Sequence, residues 1–182
     1  MNSVLPQRFI VPEVVASHFH IREGDVFADF GAGSGYFTPT LALAVGSKGR
    51  VVACEIQKNL VEKIGQLARQ SGYSNVDVLW CDIDEEGGIP LKDNSLDAGG
   101  LFNTFFQLEN KAIAVQEIHR VIRPGGVVHV IDWTDSYGGI GPAPQQVVSK
   151  AELCDWFEAN GFVLEREYPA GAHHYGVTFR AI

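Results

Sequence analysis

A glycine-rich loop after the first apolar run of the chain constrains its fold more than any other feature. Residues 26–35 read Val-Phe-Ala-Asp-Phe-Gly-Ala-Gly-Ser-Gly, and an apolar, helix-like stretch follows at 37–45. Glycine adopts positive φ and lets a ligand lie against bare backbone, while the next helix points free N–H groups at that ligand. This order of strand, glycine loop and helix predicts a nucleotide-type cofactor site.

The spacing of the glycines distinguishes between classes of nucleotide. The dinucleotide fingerprint G-x-G-x-x-G/A has a small third residue that lets the helix approach the strand. Counting from Gly31, that position is Tyr36, which argues against an NAD site. No Lys-Ser or Lys-Thr follows the glycines, so the sequence does not have the phosphate-binding loop of nucleoside triphosphatases.

Length and charge narrow the functional classes. The chain has 182 residues, 46% of them hydrophobic, and a formal net charge of −8. These values predict a single α/β domain over residues 1–182 with a sizeable core. Binding to nucleic acid or to an anionic membrane depends on basic groups, so we expect neither as a partner.

The three cysteines, Cys54, Cys81 and Cys154, show neither disulfide nor metal-site spacing, and we interpret them as reduced thiols. We also find no leader-like segment and no apolar run of about 18 residues. We therefore expect a cytoplasmic protein without a membrane anchor, and we expect no metal site.

Strand and helix signals alternate, which predicts a mostly parallel sheet with helices on both faces. Seven runs are interpreted as strands, at 26–30, 50–55, 76–81, 95–103, 127–133, 162–168 and 175–182. Helices are predicted at 14–19, 37–45, 58–70, 111–122 and 150–160. The first five strands are rich in Val, Ile and Leu, as buried parallel strands are. The connection at 169–174 is too short for a crossover helix, so the last two strands should be antiparallel.

Five motifs in this order resemble those of class I S-adenosylmethionine (SAM)-dependent methyltransferases. They are Asp29 to Gly35, Glu55, Cys81-Asp82-Ile83, Leu96-Asp97 with Asn103, and Arg120 to Gly126. The stretch 89–133 is similar to the branch that includes ubiquinone and menaquinone methyltransferases. The resemblance implies a Rossmann-like three-layer sandwich with a seven-stranded sheet in the order 3-2-1-4-5-7-6. It also implies SAM as cofactor and S-adenosylhomocysteine (SAH) as product.

The resemblance assigns the residues of the cofactor site. They are Asp29, Gly31, Ala32, Gly33, Gly35, Glu55, Ile56, Asp82, Ile83 and Asn103. Glu55 would accept hydrogen bonds from both ribose hydroxyls. Asp82 and the N–H of Ile83 would serve the adenine edge, and Ile56 would lie on its face. Asp29 and the carbonyl of Asn103 would face the methionine ammonium.

Fewer sequence features indicate how the methyl acceptor binds than indicate how the cofactor binds. Methyl transfer gains much of its rate from alignment, and a general base is needed only if the acceptor must lose a proton. The candidate catalytic residues are His173, His174 and Tyr137. Three segments should border the acceptor, namely Leu5–Phe19, the loop Thr134–Val148 and the hairpin turn with the two histidines. Aromatic residues near the strand ends favour a small apolar or aromatic acceptor: Phe105, Phe106, Trp133 and Tyr137.

Two alternatives remain at this point. The chain shows no inserted cap domain and no pronounced base motif, so it would also fit a non-catalytic SAM-binding sensor or a partner subunit of a methyltransferase complex. An NAD-dependent oxidoreductase fits less well because of Tyr36 and the antiparallel hairpin. A homodimer that completes the acceptor pocket is left open, and the sequence does not specify the acceptor or the methylated atom.

Overall fold

The computed structural model describes residues 9–182 and places a seven-stranded sheet between two layers of helices. The strands are β1 (Val26–Phe30), β2 (Arg50–Glu55), β3 (Val76–Trp80), β4 (Leu96–Phe102), β5 (Ile122–Trp133), β6 (Phe162–Pro169) and β7 (His174–Ala181). The helices are α1 (Pro12–Ala16), α2 (Thr38–Val45), α3 (Lys58–Gln70), α4 (Lys111–Val121) and α5 (Lys150–Glu158). Short 3-10 turns lie at Phe105–Gln107 and Pro144–Gln146.

The strand order is β3-β2-β1-β4-β5-β7-β6, which confirms the predicted topology. β1 to β5 pair in parallel, whereas β7 is antiparallel to both β5 and β6. The carboxyl ends of the parallel strands therefore meet at one edge, and the β6–β7 turn lies at this same edge. Open α/β sheets bind their ligands there.

Alternating side chains of the strands bury the two faces of the sheet separately. On one face, Phe27 packs with Leu41 and Val45 in the cluster that includes α1 and α2. On the other face, Phe30 packs with Ile118 of α4 and Phe157 in the cluster that includes α4 and α5. The period of two within β1 thus supplies both interfaces of the predicted three-layer sandwich.

Two of the element predictions need correction. The composition of β3 predicted a buried strand, but the strand is only partly buried and Trp80 is 53% exposed, because β3 lies at the edge of the sheet, where the predicted order places it. The first helix spans Pro12–Ala16 rather than 14–19, because proline suits a first-turn position where its missing N–H costs nothing. Residues 5–8 of the predicted acceptor segment lie outside the described part of the chain.

Residues 123–126, which precede the strand predicted at 127–133, form a wide irregularity within β5. Ile122 pairs with Leu96 and Val127 pairs with Ala98, so four residues of β5 lie opposite Asp97 alone. The Asp97 carboxylate holds this bulge through Arg123 Nε at 2.8 Å, and it also accepts from Val26 N at 2.8 Å. Gly125 supplies the positive φ of 75° that the bend requires.

One arginine fixes the segment that joins β3 to β4. This segment begins with the predicted adenine contacts, Asp82 and Ile83. Arg120 of α4 donates to the carbonyls of Ile89 and Leu91, each at 2.8 Å. It also pairs with Glu117 at 2.7 Å and with Asp93 at 2.9 Å. Glu117 is buried, so the guanidinium balances a carboxylate that has little access to water.

Among the residues that the structure describes, none of the helices has the length and apolar character needed to cross a bilayer.

We expect Arg120→Met to lower the free energy of unfolding by about 3 kcal/mol, because it leaves a buried carboxylate and two loop carbonyls without their donor. The matched change Arg50→Met removes an exposed ion pair with Asp77 and should cost less than about 1 kcal/mol. Urea unfolding followed by circular dichroism measures both values. Equal losses in the two variants would contradict the role given to Arg120.

Candidate functional site

The glycine loop is attached to the end of the neighbouring strand by backbone hydrogen bonds. Gly31 N and Ala32 N both donate to the carbonyl of Cys54, each at 2.9 Å. Gly31 has a φ of 76°, and a Cβ at this position would lie 2.5 Å from Cγ2 of Thr104. Only glycine therefore fits where β1 ends and the loop passes beneath Thr104.

The Glu55 side chain fixes the middle of the loop. One carboxylate oxygen accepts from Gly33 N and the other from Gln57 N, both at 2.8 Å. Glu55 is 5% exposed, so these two N–H groups supply hydrogen bonds in place of the water that a nearly buried carboxylate loses. Each oxygen retains a further lone pair for a ligand hydroxyl.

Two cavities open at the carboxyl edge of the sheet and meet at the glycine loop. The first has a volume of about 470 Å³ and the second about 420 Å³. Both are lined by Gly31, Gly33, Thr104 and Gln107. A Cβ built on Gly33 would have no atom within 4 Å, so this glycine faces open space at the junction. An elongated ligand with two chemically different halves fits this arrangement.

Asp29 lines the first cavity with a buried carboxyl group. Its side chain is 2% exposed, and Oδ2 has no hydrogen-bond partner among residues 9–182. Burial, and then the negative charge of Glu55, raises the pKa of Asp29 to about 7. A cation placed here would receive a strong hydrogen-bond acceptor and would restore the ionised carboxylate.

Asn103, at the end of β4, also lines the first cavity. It has a φ of 57°, in the left-handed region, and its carbonyl accepts from Gln107 Nε2 at 2.7 Å. This carbonyl was predicted to face the cofactor ammonium. It has a second lone pair, so it can accept from an ammonium while it still accepts from Gln107.

The second cavity combines apolar and acidic side chains. Ile56 is 49% exposed there, an unusual position for isoleucine, and Ile83 forms a buried part of the wall. Asp82 lines the same cavity, and burial together with neighbouring Asp84 raises its pKa. Asp84 accepts hydrogen bonds from the N–H groups that precede α4 and so holds the far wall.

The structure separates the three predicted catalytic residues. His174 lines the first cavity, whereas His173 and Tyr137 do not. His173 Nδ1 lies 2.8 Å from a carboxylate oxygen of Asp135, and Tyr137 stacks on its ring at 4.0 Å. Phe9 lies between the two groups, with its ring centroid 6.0–6.3 Å from those of Tyr137, His173 and His174.

Comparison with known proteins identifies the family. A methyltransferase domain family matches residues 28–130, which is more than half of the chain. A SAM-dependent methyltransferase from Aquifex aeolicus superposes with a TM-score of 0.88 at 30% identity, covering 98% of this chain and 94% of that one. The chain belongs to the methyltransferase domain family. The predicted class, a class I SAM-dependent methyltransferase, is confirmed.

Curated relatives of this chain include enzymes named for quinones. A 2-phytyl-1,4-naphtoquinone methyltransferase from Nostoc sp. is 30% identical over 129 residues, 71% of this chain and 56% of that protein. The ubiquinone/menaquinone biosynthesis C-methyltransferase UbiE of Hydrogenovibrio crunogenus is 32% identical over 116 residues, 63% of this chain and 44% of that protein. The chain thus spans about half the length of these relatives.

The residues of both cavities fit the cofactor of the family. All the predicted cofactor residues except Gly35 line one or both cavities. A Cβ on Gly35 would instead lie 3.2 Å from Ile64, which assigns that glycine to packing against α3. The unpaired Asp29 oxygen suits an ammonium, Glu55 suits ribose hydroxyls, and exposed Ile56 suits an aromatic base. Within residues 9–182, no group of three His, Cys, Asp or Glu side chains is arranged to hold a metal ion.

Sequence reasoning missed two residues at the junction of the cavities. Thr104 packs over Gly31, and its hydroxyl lies 3.3 Å from the Gly31 carbonyl oxygen. Gln107 belongs to the 3-10 turn after β4 and lines both cavities. The one available signal was their position directly after the predicted strand end at Asn103.

We expect the folded protein to lose stability as pH rises through the Asp29 titration. The unfolded carboxyl ionises near 3.8, whereas the folded one holds its proton to about 7, so the folded state binds more protons between these values. The unfolding free energy of the wild type relative to Asp29→Asn should fall by about 3 kcal/mol from pH 5 to pH 8.

Urea unfolding of both proteins at the two pH values measures this difference. Burial also raises the pKa of Asp132, to about 6, but Asp132 is present in both proteins, so its contribution cancels in the comparison. A difference that stays constant with pH would show that Asp29 is ionised throughout.

Proposed function

We propose that this protein transfers a methyl group from SAM to a small aromatic acceptor. The observation that carries the proposal is the pair of cavities joined at the glycine loop, with the buried, unpaired Asp29 carboxyl on one side and Glu55 on the other. A cofactor with a cationic amino-acid arm and a nucleoside satisfies both ends at once. SAM supplies the sulfonium methyl when it is bound.

The chain's own residues would bind and orient rather than react. In the second cavity, Glu55 accepts from the ribose hydroxyls, Ile56 and Ile83 enclose the adenine, and Asp82 accepts from its amino group. In the first cavity, Asp29 and the Asn103 carbonyl would hold the ammonium, with Gln107 donating to the same carbonyl. Alignment and exclusion of water at this point account for much of the rate of a methyl transfer.

The first cavity also supports the aromatic acceptor. Phe9, Phe37, Phe102 and Trp133 line it beside the predicted position of the methionine arm. Relatives named for naphthoquinone and menaquinone chemistry support an acceptor of this class. The net charge of −8 speaks against nucleic acid as the acceptor.

Several narrower expectations remain proposals. The single domain over residues 1–182 is one of them, and a homodimer that completes the acceptor cavity is another. A third proposal is that the protein functions in the reducing cytoplasm, which the free thiols of Cys54, Cys81 and Cys154 support. A non-catalytic SAM-binding subunit is the alternative to an enzyme, and it shares the same cofactor site.

Calorimetric titration with SAH, with NADH as the control, tests the cofactor proposal. We expect micromolar SAH binding and no heat from NADH, because Tyr36 occupies the place of the small residue that dinucleotide folds require. Methyl transfer to a reduced naphthoquinone from labelled SAM then separates the enzyme from the binding subunit. Binding of NADH alone would refute the proposed function.

We expect Gly33→Trp to abolish SAH binding, because the indole would fill the junction of the two cavities. The matched control is Gly72→Trp, since Gly72 also has positive φ, at 74°, and open space around its Cβ, but lies in an exposed turn after α3. Both variants carry the same backbone strain, of about 1 kcal/mol. Calorimetry on both variants separates site blockage from strain, and SAH binding retained by Gly33→Trp would disprove the placement of the site.

A further inference from the structure

Two side chains of the first cavity face each other across the β5–β7 ladder. Trp133 ends β5 and pairs in register with His174, the first residue of β7. Their ring centroids lie 4.2 Å apart, and both residues line the first cavity. They therefore stand at the carboxyl edge of the sheet, on the same wall as Phe9 and opposite the glycine loop.

The hydrogen-bonding role of each His174 nitrogen is fixed by its surroundings. Nδ1 lies 2.7 Å from the carbonyl oxygen of Ala172, and a carbonyl only accepts. Nδ1 therefore carries the hydrogen, which leaves Nε2 with a free lone pair. Burial lowers the pKa of His174, so the ring is neutral at pH 7 and Nε2 is an acceptor.

Trp133 supplies the opposite function. The indole Nε1–H donates and has no lone pair to offer. Neither Trp133 Nε1 nor His174 Nε2 has a hydrogen-bond partner within the described residues, although both atoms are buried. Unpaired buried polar atoms are costly and uncommon in folded proteins. Here a donor and an acceptor without partners lie on neighbouring rings of one cavity wall.

The neighbouring polar groups do not account for these two atoms. His173 is already paired with Asp135, and both stand outside the lining of the first cavity. The loop after β5 touches the indole through Gly141, where a Cβ would lie 2.5 Å from the ring, and glycine brings no polar side chain. Among residues 9–182 no group completes either bond, and a ligand in the first cavity is placed to supply both.

We propose that Trp133 and His174 form a hydroxyl-recognition pair that selects acceptors carrying a hydroxyl group on an aromatic ring. A hydroxyl is the simplest group that accepts from Nε1–H and donates to Nε2 at the same time. An ether or a quinone carbonyl lacks the donor, and an amine is a poorer acceptor. The inference rests on the proposed function, because it names the class of compound that the acceptor part of the first cavity takes.

This arrangement also orients the acceptor. The apolar side chains of Phe9 and Phe102 line the cavity where the ring would lie. The hydroxyl proton points at a neutral imidazole nitrogen, which is the geometry from which a general base removes a proton. His174 thus acquires a defined role among the three candidate catalytic residues, and Trp133 joins it as a specificity residue.

Binding of two probes that differ in one hydrogen-bond donor tests the pair. We would measure dissociation constants of 1-naphthol and 1-methoxynaphthalene by calorimetry, with and without SAH. We expect 1-naphthol to bind the wild type at least about 10-fold more tightly, because it alone donates to His174 Nε2, which the methyl ether leaves buried and unpaired. Equal affinities, a preference for the methyl ether, or no saturable binding of 1-naphthol would overturn the proposal without any variant.

Variants then assign the selectivity to the two residues. His174→Phe keeps an aromatic ring but removes the acceptor, so it should reduce the preference for 1-naphthol to below about 3-fold. Trp133→Phe removes the donor from which both probes accept, so it should weaken both probes by about 3-fold or more. The matched controls are His119→Phe and Trp156→Phe, which lie on α4 and α5 away from both cavities. Full selectivity in His174→Phe, or unchanged affinity for both probes in Trp133→Phe, would remove that residue from the pair.

The two proposals fail in different ways. If the wild type does not bind SAH, the proposed cofactor site is refuted. The naphthol comparison without SAH would still test the hydroxyl-recognition pair. Normal SAH binding with no preference between the probes would refute the hydroxyl-recognition pair alone.

Discussion

The bond between Glu55 and the glycine loop is the interaction on which the site depends. The carboxylate at the end of β2 accepts from Gly33 N, while the backbone of Cys54, one residue earlier, accepts from Gly31 and Ala32. These bonds join two parallel strands at their carboxyl ends. They also hold the positive-φ turns at Gly31 and Gly33 in place. Both cavities follow from this joint, because the loop stands between them.

Joining the strands in this way has an electrostatic consequence. It brings the charge of Glu55 close enough to raise the pKa of Asp29, whose side chain is already removed from water. A fully satisfied carboxylate at this position would stabilise the empty fold more. The chain instead leaves Oδ2 without a partner among the described residues, and such local instability is common where a protein has to bind a charged ligand.

The sequence was sufficient for features that are encoded locally. The glycine loop, the alternation of strands and helices and the short β6–β7 connection predicted a mostly parallel sheet with a final antiparallel pair, because each depends on nearby residues. The complete strand order followed from the resemblance to class I methyltransferases. Composition alone was not sufficient for β3, because its apolar residues do not reveal the edge position that this order gives it. Gln107 carries no signal of its own, since its importance comes from the fold of one 3-10 turn. His173 and His174 are equivalent as neighbours in sequence, and only the backbone turn at His173, with a φ of 63°, directs one of them into the cavity lining.

The β5–β7 ladder places several of the residues proposed to meet the acceptor outside the part of the chain that matches the family. The match ends at residue 130, whereas Trp133, Ile140 and His174 follow it and Phe9 precedes it. Phe37 and Phe102 lie within the match. Substitutions in the hairpin and in the first described residues could therefore change which compound is accepted without disturbing how the cofactor is held, so that one wall of the first cavity can diverge while the cofactor site is kept.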